Sequence, residues 1–248
     1  MLLLFLISCA HQTVSQSPPP PPPAWTTRSG QETTKFALAE ALLESNNPEA
    51  ALNLIGQMRQ EDISTPDLDV LQARAFAAVG LVDDAEALLG DVLSRHSRRA
   101  DAHNTLGILY LDTQRLQPAI GAFEEAARLD SNNPEYANNL GFSLLASGEA
   151  AAAVDALRIA LKQDASQIRT RNNLGFALIA NGQEDEAYRV FRSAVTEADA
   201  RYNLGVGLER RGDPEKAIVQ YSAAIDADAS HEAAALALNR LQTVEDSP

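Results

Sequence analysis

Few residues in this chain are placed to do chemistry. The four histidines, at 11, 96, 103 and 231, show no His-x-x-x-His and no glutamate-flanked spacing, the patterns by which one helix face presents imidazoles to zinc. Gly205-Val206-Gly207 has two glycines of a phosphate loop, but it lies in a helical pattern and no Gly-Lys-Ser follows. No Ser, His and Asp set is supported by spacing, and Cys9 is the only cysteine, so no disulfide forms within the chain. The expectation is a protein that is not an enzyme, with no catalytic residue, no metal, no cofactor and no small-molecule substrate. A formal net charge of −14 argues against nucleic acid, because phosphate binding needs clustered Lys and Arg. The one basic cluster, Arg95-His96-Ser97-Arg98-Arg99, reads as a solvated loop, with a partner contact as the alternative. What remains is recognition chemistry: asparagines and large apolar side chains that recur at a fixed step.

That step organises the chain. The phrases NTLGILY (104–110), NNLGFSL (138–144), NNLGFAL (172–178) and YNLGVGL (202–208) place glycines at 107, 141, 175 and 205, steps of 34, 34 and 30. Twelve residues after each glycine comes an alanine: Ala119, Ala153, Ala187 and Ala217. The same step carried backwards reaches Ala85 and Ala51, which gives six units. Gly80, Gly148, Gly182 and Gly212 fall between the two helices of a unit, with Asn46 and Gln114 in that place in units one and three. Asn47-Pro48, Asn133-Pro134 and Asp213-Pro214 put a capping side chain before a proline at the first helical position. The last step is four residues short, so about one helical turn is missing between Ala194 and Tyr202. Helices are predicted at 184–197 and 199–211 around that junction, with a change of superhelical pitch. Residues 59–66, RQEDISTP, read as a polar connection after unit one.

The pattern resembles the tetratricopeptide repeat (TPR) family, stacked helix-turn-helix units of 34 residues. Unit three carries Leu106, Gly107, Tyr110, Ala119, Phe123 and Ala126. Unit four carries Leu140, Gly141, Ala153, Leu157 and Ala160. Units five and six repeat it with Leu174, Gly175, Ala187, Phe191, Ala194 and with Leu204, Gly205, Ala217, Tyr221, Ala224. Ala39 and Ala73 replace the glycine in units one and two. The family tryptophan is replaced by His103, Ala137, Arg171 and Arg201, and its closing proline by Ser131, Ala165 and Ala229. The resemblance covers roughly residues 31–245. It implies an all-α fold, a TPR α-solenoid of six helix-turn-helix repeats plus a C-terminal capping helix at 231–244. The repeats fall at about 33–66, 67–99, 100–133, 134–167, 168–197 and 198–230 of a TPR domain spanning 33–245.

The resemblance also implies a concave groove lined by first-helix positions three before, one after and four after the glycine. Here these are Asn104, Ile108 and Leu111; Asn138, Phe142 and Leu145; Asn172, Phe176 and Ile179; and Tyr202, Val206 and Glu209. An asparagine row runs beside an apolar row. Amides can bond a peptide backbone and the apolar row can take its side chains; the alternative is that Phe142 and Phe176 pack only between repeats. The neighbouring Asn139, Asn173 and Asn203 read as braces between adjacent helices. Chaperone-binding members of the family hold a carboxylate with lysines, where this groove has Glu135, Arg169 and Asp199.

The amino terminus carries a different resemblance. MLLLFLIS, residues 1–8, is too short to span a bilayer, which takes about 20 residues. It reads as the apolar part of a signal peptide without its basic start. Leu6-Ile7-Ser8-Cys9 is similar to the lipobox of bacterial lipoproteins, which implies lipidation at Cys9; the alternative is an uncleaved apolar tail. Pro18 to Pro23, within a spacer over 9–32, force polyproline II. An anchor, a spacer and a solenoid together are similar to TPR lipoproteins of the Tad (Flp) pilus and to type IV pilus pilotins. That implies an outer-membrane protein facing the periplasm, tethered through the lipid, with a pilus secretin as protein partner. Coordination of peptidoglycan synthesis or hydrolysis enzymes is the alternative.

Overall fold

The computed structural model describes residues 30–245. The signal run, Cys9 and nearly all of the proline-rich spacer lie outside them. Thirteen α-helices and no strand occur among the described residues. They pair in chain order: α1 (Gly30–Glu44) with α2 (Pro48–Gln60), α3 (Pro66–Ala78) with α4 (Val82–Arg95), and α5 (Ala100–Asp112) with α6 (Leu116–Leu129). Then come α7 (Pro134–Ala146) with α8 (Ala150–Gln163), α9 (Ile168–Ala180) with α10 (Glu184–Arg192), and α11 (Glu197–Arg211) with α12 (Pro214–Ala227). The last helix, α13 (Glu232–Glu245), packs on α12. Each helix meets its pair-mate and the elements of the next pair, so the core is a row of local clusters rather than one centre. The architecture is the expected solenoid of six pairs and a closing helix.

Short turns reverse the chain inside each pair. In unit four Gly148 has φ +89°, and the Glu149 N–H donates back to the Leu144 carbonyl at 2.9 Å, closing α7 with the bond that a left-handed residue permits. Asn46 (φ +58°) and Gln114 (φ +60°) take that left-handed place in units one and three. The caps differ from expectation. Asn133 does cap α7, accepting from the Glu135 N–H at 3.0 Å, but Asn47 makes no such bond. Asp213 makes none either, because its carboxylate is engaged by Arg211. Thr65 and Thr196 cap instead, accepting from the N–H groups of Leu68 and Asp199.

The small residues at the glycine position set the spacing inside each pair. A Cβ on Gly107 would sit 2.6 Å from a ring carbon of Phe123, one on Gly175 2.3 Å from Phe191, and one on Gly205 2.6 Å from Tyr221. These three rings are fully or almost fully buried, and burying such a side chain contributes roughly 1.5–3 kcal/mol. Units one and two have alanine there, and the residues at the ring position are Ile55 and Leu89. Bulk is thus traded across the contact: alanine goes with an aliphatic side chain, glycine with an aromatic ring or, in unit four, Leu157.

Two stretches are less solvated than their composition suggests. In the connection after unit one, Ile63 is buried with Phe36, Ile55 and Leu68. In the basic cluster, Arg99 is not a solvated loop residue. It ion-pairs with Asp67 and Asp101, and its side chain is only 13% exposed. Arg95 pairs with Asp91 and Asp69, while His96 and Arg98 stay exposed.

The missing turn comes out of α10. That helix has 9 residues where α6, α8 and α12 each have 14, and it ends at Arg192 rather than 197. Helix α11 starts at Glu197 and packs closely on α9. Gly207 makes this approach feasible, because a Cβ there would meet Ile179 Cδ1 at 2.2 Å. Arg211 ties the junction: Nη1 donates to the Ile179 carbonyl at 2.9 Å, and the guanidinium also holds Glu184 and Asp213.

Candidate functional site

The first helices α5, α7, α9 and α11 carry the predicted groove residues, and the structure separates them into three groups. Ile108 is exposed at 39%. Leu111, Phe142 and Leu145 are half-buried, and Leu145 leans on the core beneath. These four form an apolar lane along units three and four.

The asparagines are largely internal. Asn104 is 7% and Asn138 4% exposed. Asn139 Nδ2 donates to Asn104 Oδ1 at 3.0 Å, and Asn173 Nδ2 donates to Asn138 Oδ1 at 3.0 Å. Asn138 Nδ2 reaches Asn139 Oδ1 at 3.5 Å. The row is therefore a ladder of amides between successive repeats, which satisfies polar groups that burial would otherwise penalise. It stops at the short junction. Asn203, the next rung, makes no bond to Asn172, whose Oδ1 is buried without a partner. Asn104 Nδ2 also has no partner among the described residues. Asn104 thus keeps a donor to offer, whereas the unused acceptor of Asn172 is buried.

The third group packs inside the solenoid. Ile179 is 1% exposed and is a core residue, not a groove residue, because the lost turn of α10 draws α11 and Gly207 over it. Phe176 is half-buried, edge-on to Phe191 with centroids 5.3 Å apart, and covered by the Arg210 guanidinium at 5.3 Å. Tyr202 lies between Tyr221 (5.7 Å) and His231 (5.1 Å), joining unit six to α13. His231 is spent on structure: Nδ1 accepts from the Ala234 N–H at 3.1 Å and Nε2 lies 3.4 Å from Asp199. Val206 is half-buried. Glu209 binds Arg240 and Tyr221, and Arg240 holds its carboxyl below the ordinary glutamate value against the opposing effect of burial.

Sequence reasoning missed a cleft at the other end of the groove. It measures about 380 Å³ and runs from α1 to α7, lined by Phe36, Glu40, Asp101, Asn104, Ile108 and Glu135 among others. Asp67 and Arg74 also face it. A signal was present: Asp67, Asp101 and Glu135 recur at a step of 34, six residues before the glycine position. Among the described residues no group of His, Cys, Asp and Glu could hold a metal ion, and no helix is long and apolar enough to cross a membrane.

The fold has clear counterparts. A tetratricopeptide repeat family model matches residues 70–134. Comparison with curated proteins yields no match. Among solved structures, the chain is similar to YrrB, a TPR protein with an unusual peptide-binding site. The identity is 27% and the TM-score 0.59, over 74% of this chain and 96% of that one. It is similar in fold to MamA at 22% identity and TM-score 0.53, over 64% of this chain and 96% of MamA. It is also similar in fold to a chain of the Naa15/Naa10 complex bound to HypK-THB, at 17% identity and TM-score 0.53, over 87% of this chain and 34% of that one. The architecture is a TPR solenoid.

Proposed function

We propose that this protein is a non-catalytic interaction scaffold whose groove over units three and four holds an extended or helical segment of a protein partner. The observation that carries the reading is the lane of Ile108, Leu111, Phe142 and Leu145 beside the Asn104 amide, whose Oδ1 is held by Asn139 and whose Nδ2 is left to donate. An apolar lane supplies anchoring area and adjacent amides supply backbone bonds. The peptide-binding site of YrrB in the same fold supports it. In the fuller form of the proposal a lipid on Cys9 tethers the solenoid to the outer membrane, facing the periplasm, and the partner is a pilus secretin. The apolar run before Cys9 and the proline spacer after it support that form.

The test uses the full chain behind a complete signal peptide. Wild type is expected to fractionate with membranes and to capture the secretin in crosslinked envelope extracts. Cys9→Ser should release it from membranes. Ile108→Glu with Phe142→Glu should abolish capture while helicity stays unchanged, since Ile108 is exposed and Phe142 is only half-buried. Undiminished capture by that folded double variant sinks the groove reading. Capture of a penicillin-binding protein in place of the secretin moves the role to the cell wall.

A further inference from the structure

We infer that the partner segment is cationic, and that its Lys or Arg side chains enter the cleft between α1 and α7, beside the apolar lane. This rests on the groove reading above and names the chemistry of what the groove accepts. Four carboxylates, Glu40, Asp67, Asp101 and Glu135, face the cleft, against one guanidinium, Arg74. Arg99, behind the wall, bridges Asp67 and Asp101, and even with it counted two negative charges remain. They sit on Glu40 and Glu135, which are exposed and make no ion pair among the described residues.

Two further features separate this cleft from a merely acidic surface. Its floor is apolar, with Phe36 at 5%, Val70 at 5% and Leu71 at 3% exposed, and suits the methylene stems of long basic side chains. Asn104 is 93% buried, since 7% remains exposed. Its Oδ1 is held by Asn139 at 3.0 Å, and its Nδ2 is left without a partner in the cleft lining, a donor for a backbone carbonyl. A peptide has carbonyls and stems together; a free polyamine has no carbonyl. The negative field is also felt locally: burial first, then Asp101 and Glu135, push the Tyr136 hydroxyl well above its ordinary value. The far end of the groove is different. Exposed Arg169 makes no ion pair among the described residues, and Arg210 lies over Phe176. The acidity therefore belongs to this cleft and does not simply follow the net charge of the chain.

The experiment measures fluorescence anisotropy of the full chain with a labelled peptide of Lys-Ser-Leu-Ala repeats and with its Glu-Ser-Leu-Ala counterpart. The lysine peptide should bind and the glutamate peptide should not. Glu40→Gln with Glu135→Gln should weaken binding about tenfold, the value of two partly screened ion pairs. Glu215→Gln with Asp226→Asn makes the same charge change at exposed sites of α12 and should leave affinity unchanged. Equal loss in both pairs, equal affinity for the two peptides, or no binding of either overturns the inference. So does competition by spermine as effective as by unlabelled lysine peptide. If the lysine peptide fails while Ile108→Glu with Phe142→Glu still abolishes partner capture, the charge inference falls and the groove reading stands. If neither effect appears, both fall.

Discussion

Gly175→Ala tests how the solenoid sets its own spacing. The new Cβ would lie 2.3, 2.4 and 2.8 Å from three ring carbons of Phe191. Comfortable carbon contacts begin at about 3.5 Å, so ring and helix must part by roughly 1.2 Å. Phe191 has nowhere to go: it is 0% exposed and its ring is packed edge-on to Phe176. Overpacking of this kind costs about 1–3 kcal/mol, while alanine gains about 1 kcal/mol over glycine in a helix interior. The two effects oppose, so a control is needed. Gly90 in α4 is exposed and has open space around its missing Cβ, so Gly90→Ala should show the helical gain alone. The difference in urea stability between the two variants should be about 1–3 kcal/mol, with Gly175→Ala the weaker. Adding Phe191→Leu should recover part of it, because unit two already pairs Ala73 with Leu89. The coupling in that cycle should be about 0.5–3 kcal/mol. Equal stability of Gly175→Ala and Gly90→Ala, or additivity with Phe191→Leu, would refute the account.

Three further perturbations probe other parts. Asn138→Ala removes the acceptor of Asn173 and should cost about 1–3 kcal/mol in denaturant stability, whereas Asn172→Leu should be neutral or stabilising because it removes a buried acceptor that has no partner; a reversed order would disprove the ladder. Ala153→Leu, at a fully buried contact within unit four, should cost about 1–3 kcal/mol by overpacking, and unchanged urea stability would mean the register is wrong. Glu209 and Glu184 have carboxyl pKa values held below the ordinary 4.5, by Arg240 and by Arg211 with Lys216. A depressed folded value contributes stability above the unfolded value and loses it as pH falls through the folded one, so hydrogen-exchange protection factors in α11 to α13, taken relative to the intrinsic rate at each pH, should fall on acidification below 4.5. Glu209→Gln should blunt that response, and identical acid profiles would remove the argument.

Most of the fold could be read from spacing because the repeat makes each contact recur. Glycine or alanine at the close approach, a bulky side chain opposite, and a left-handed residue at the turn are local requirements, met within one unit. The short junction was visible as a step of 30, yet spacing did not show which helix lost the turn. That is decided by packing. Gly207 lets α11 close on α9, and α10 shortens to allow it. The caps followed the same logic: Asp213 has the right type and place, but Arg211 engages its carboxylate.

The groove was harder to read, because exposure of a first-helix residue depends on the neighbouring repeat. Asn104, Asn138 and Asn172 hold equivalent positions, yet the first two accept an amide from the next repeat and the third does not. Phe142 and Phe176 are also equivalent, but only Phe176 is covered by an arginine from α11. Equivalent letters therefore do not make equivalent sites once one junction differs. The four-residue contraction fills the groove near unit six with Phe176, Ile179 and Tyr202. The accessible apolar surface is left at Ile108 and Phe142, next to the carboxylates of units one to four. A partner segment that needs both apolar anchors and charge finds them together only on that side of the junction. This is why the cleft, rather than the tail of the asparagine row, is the place to look for specificity.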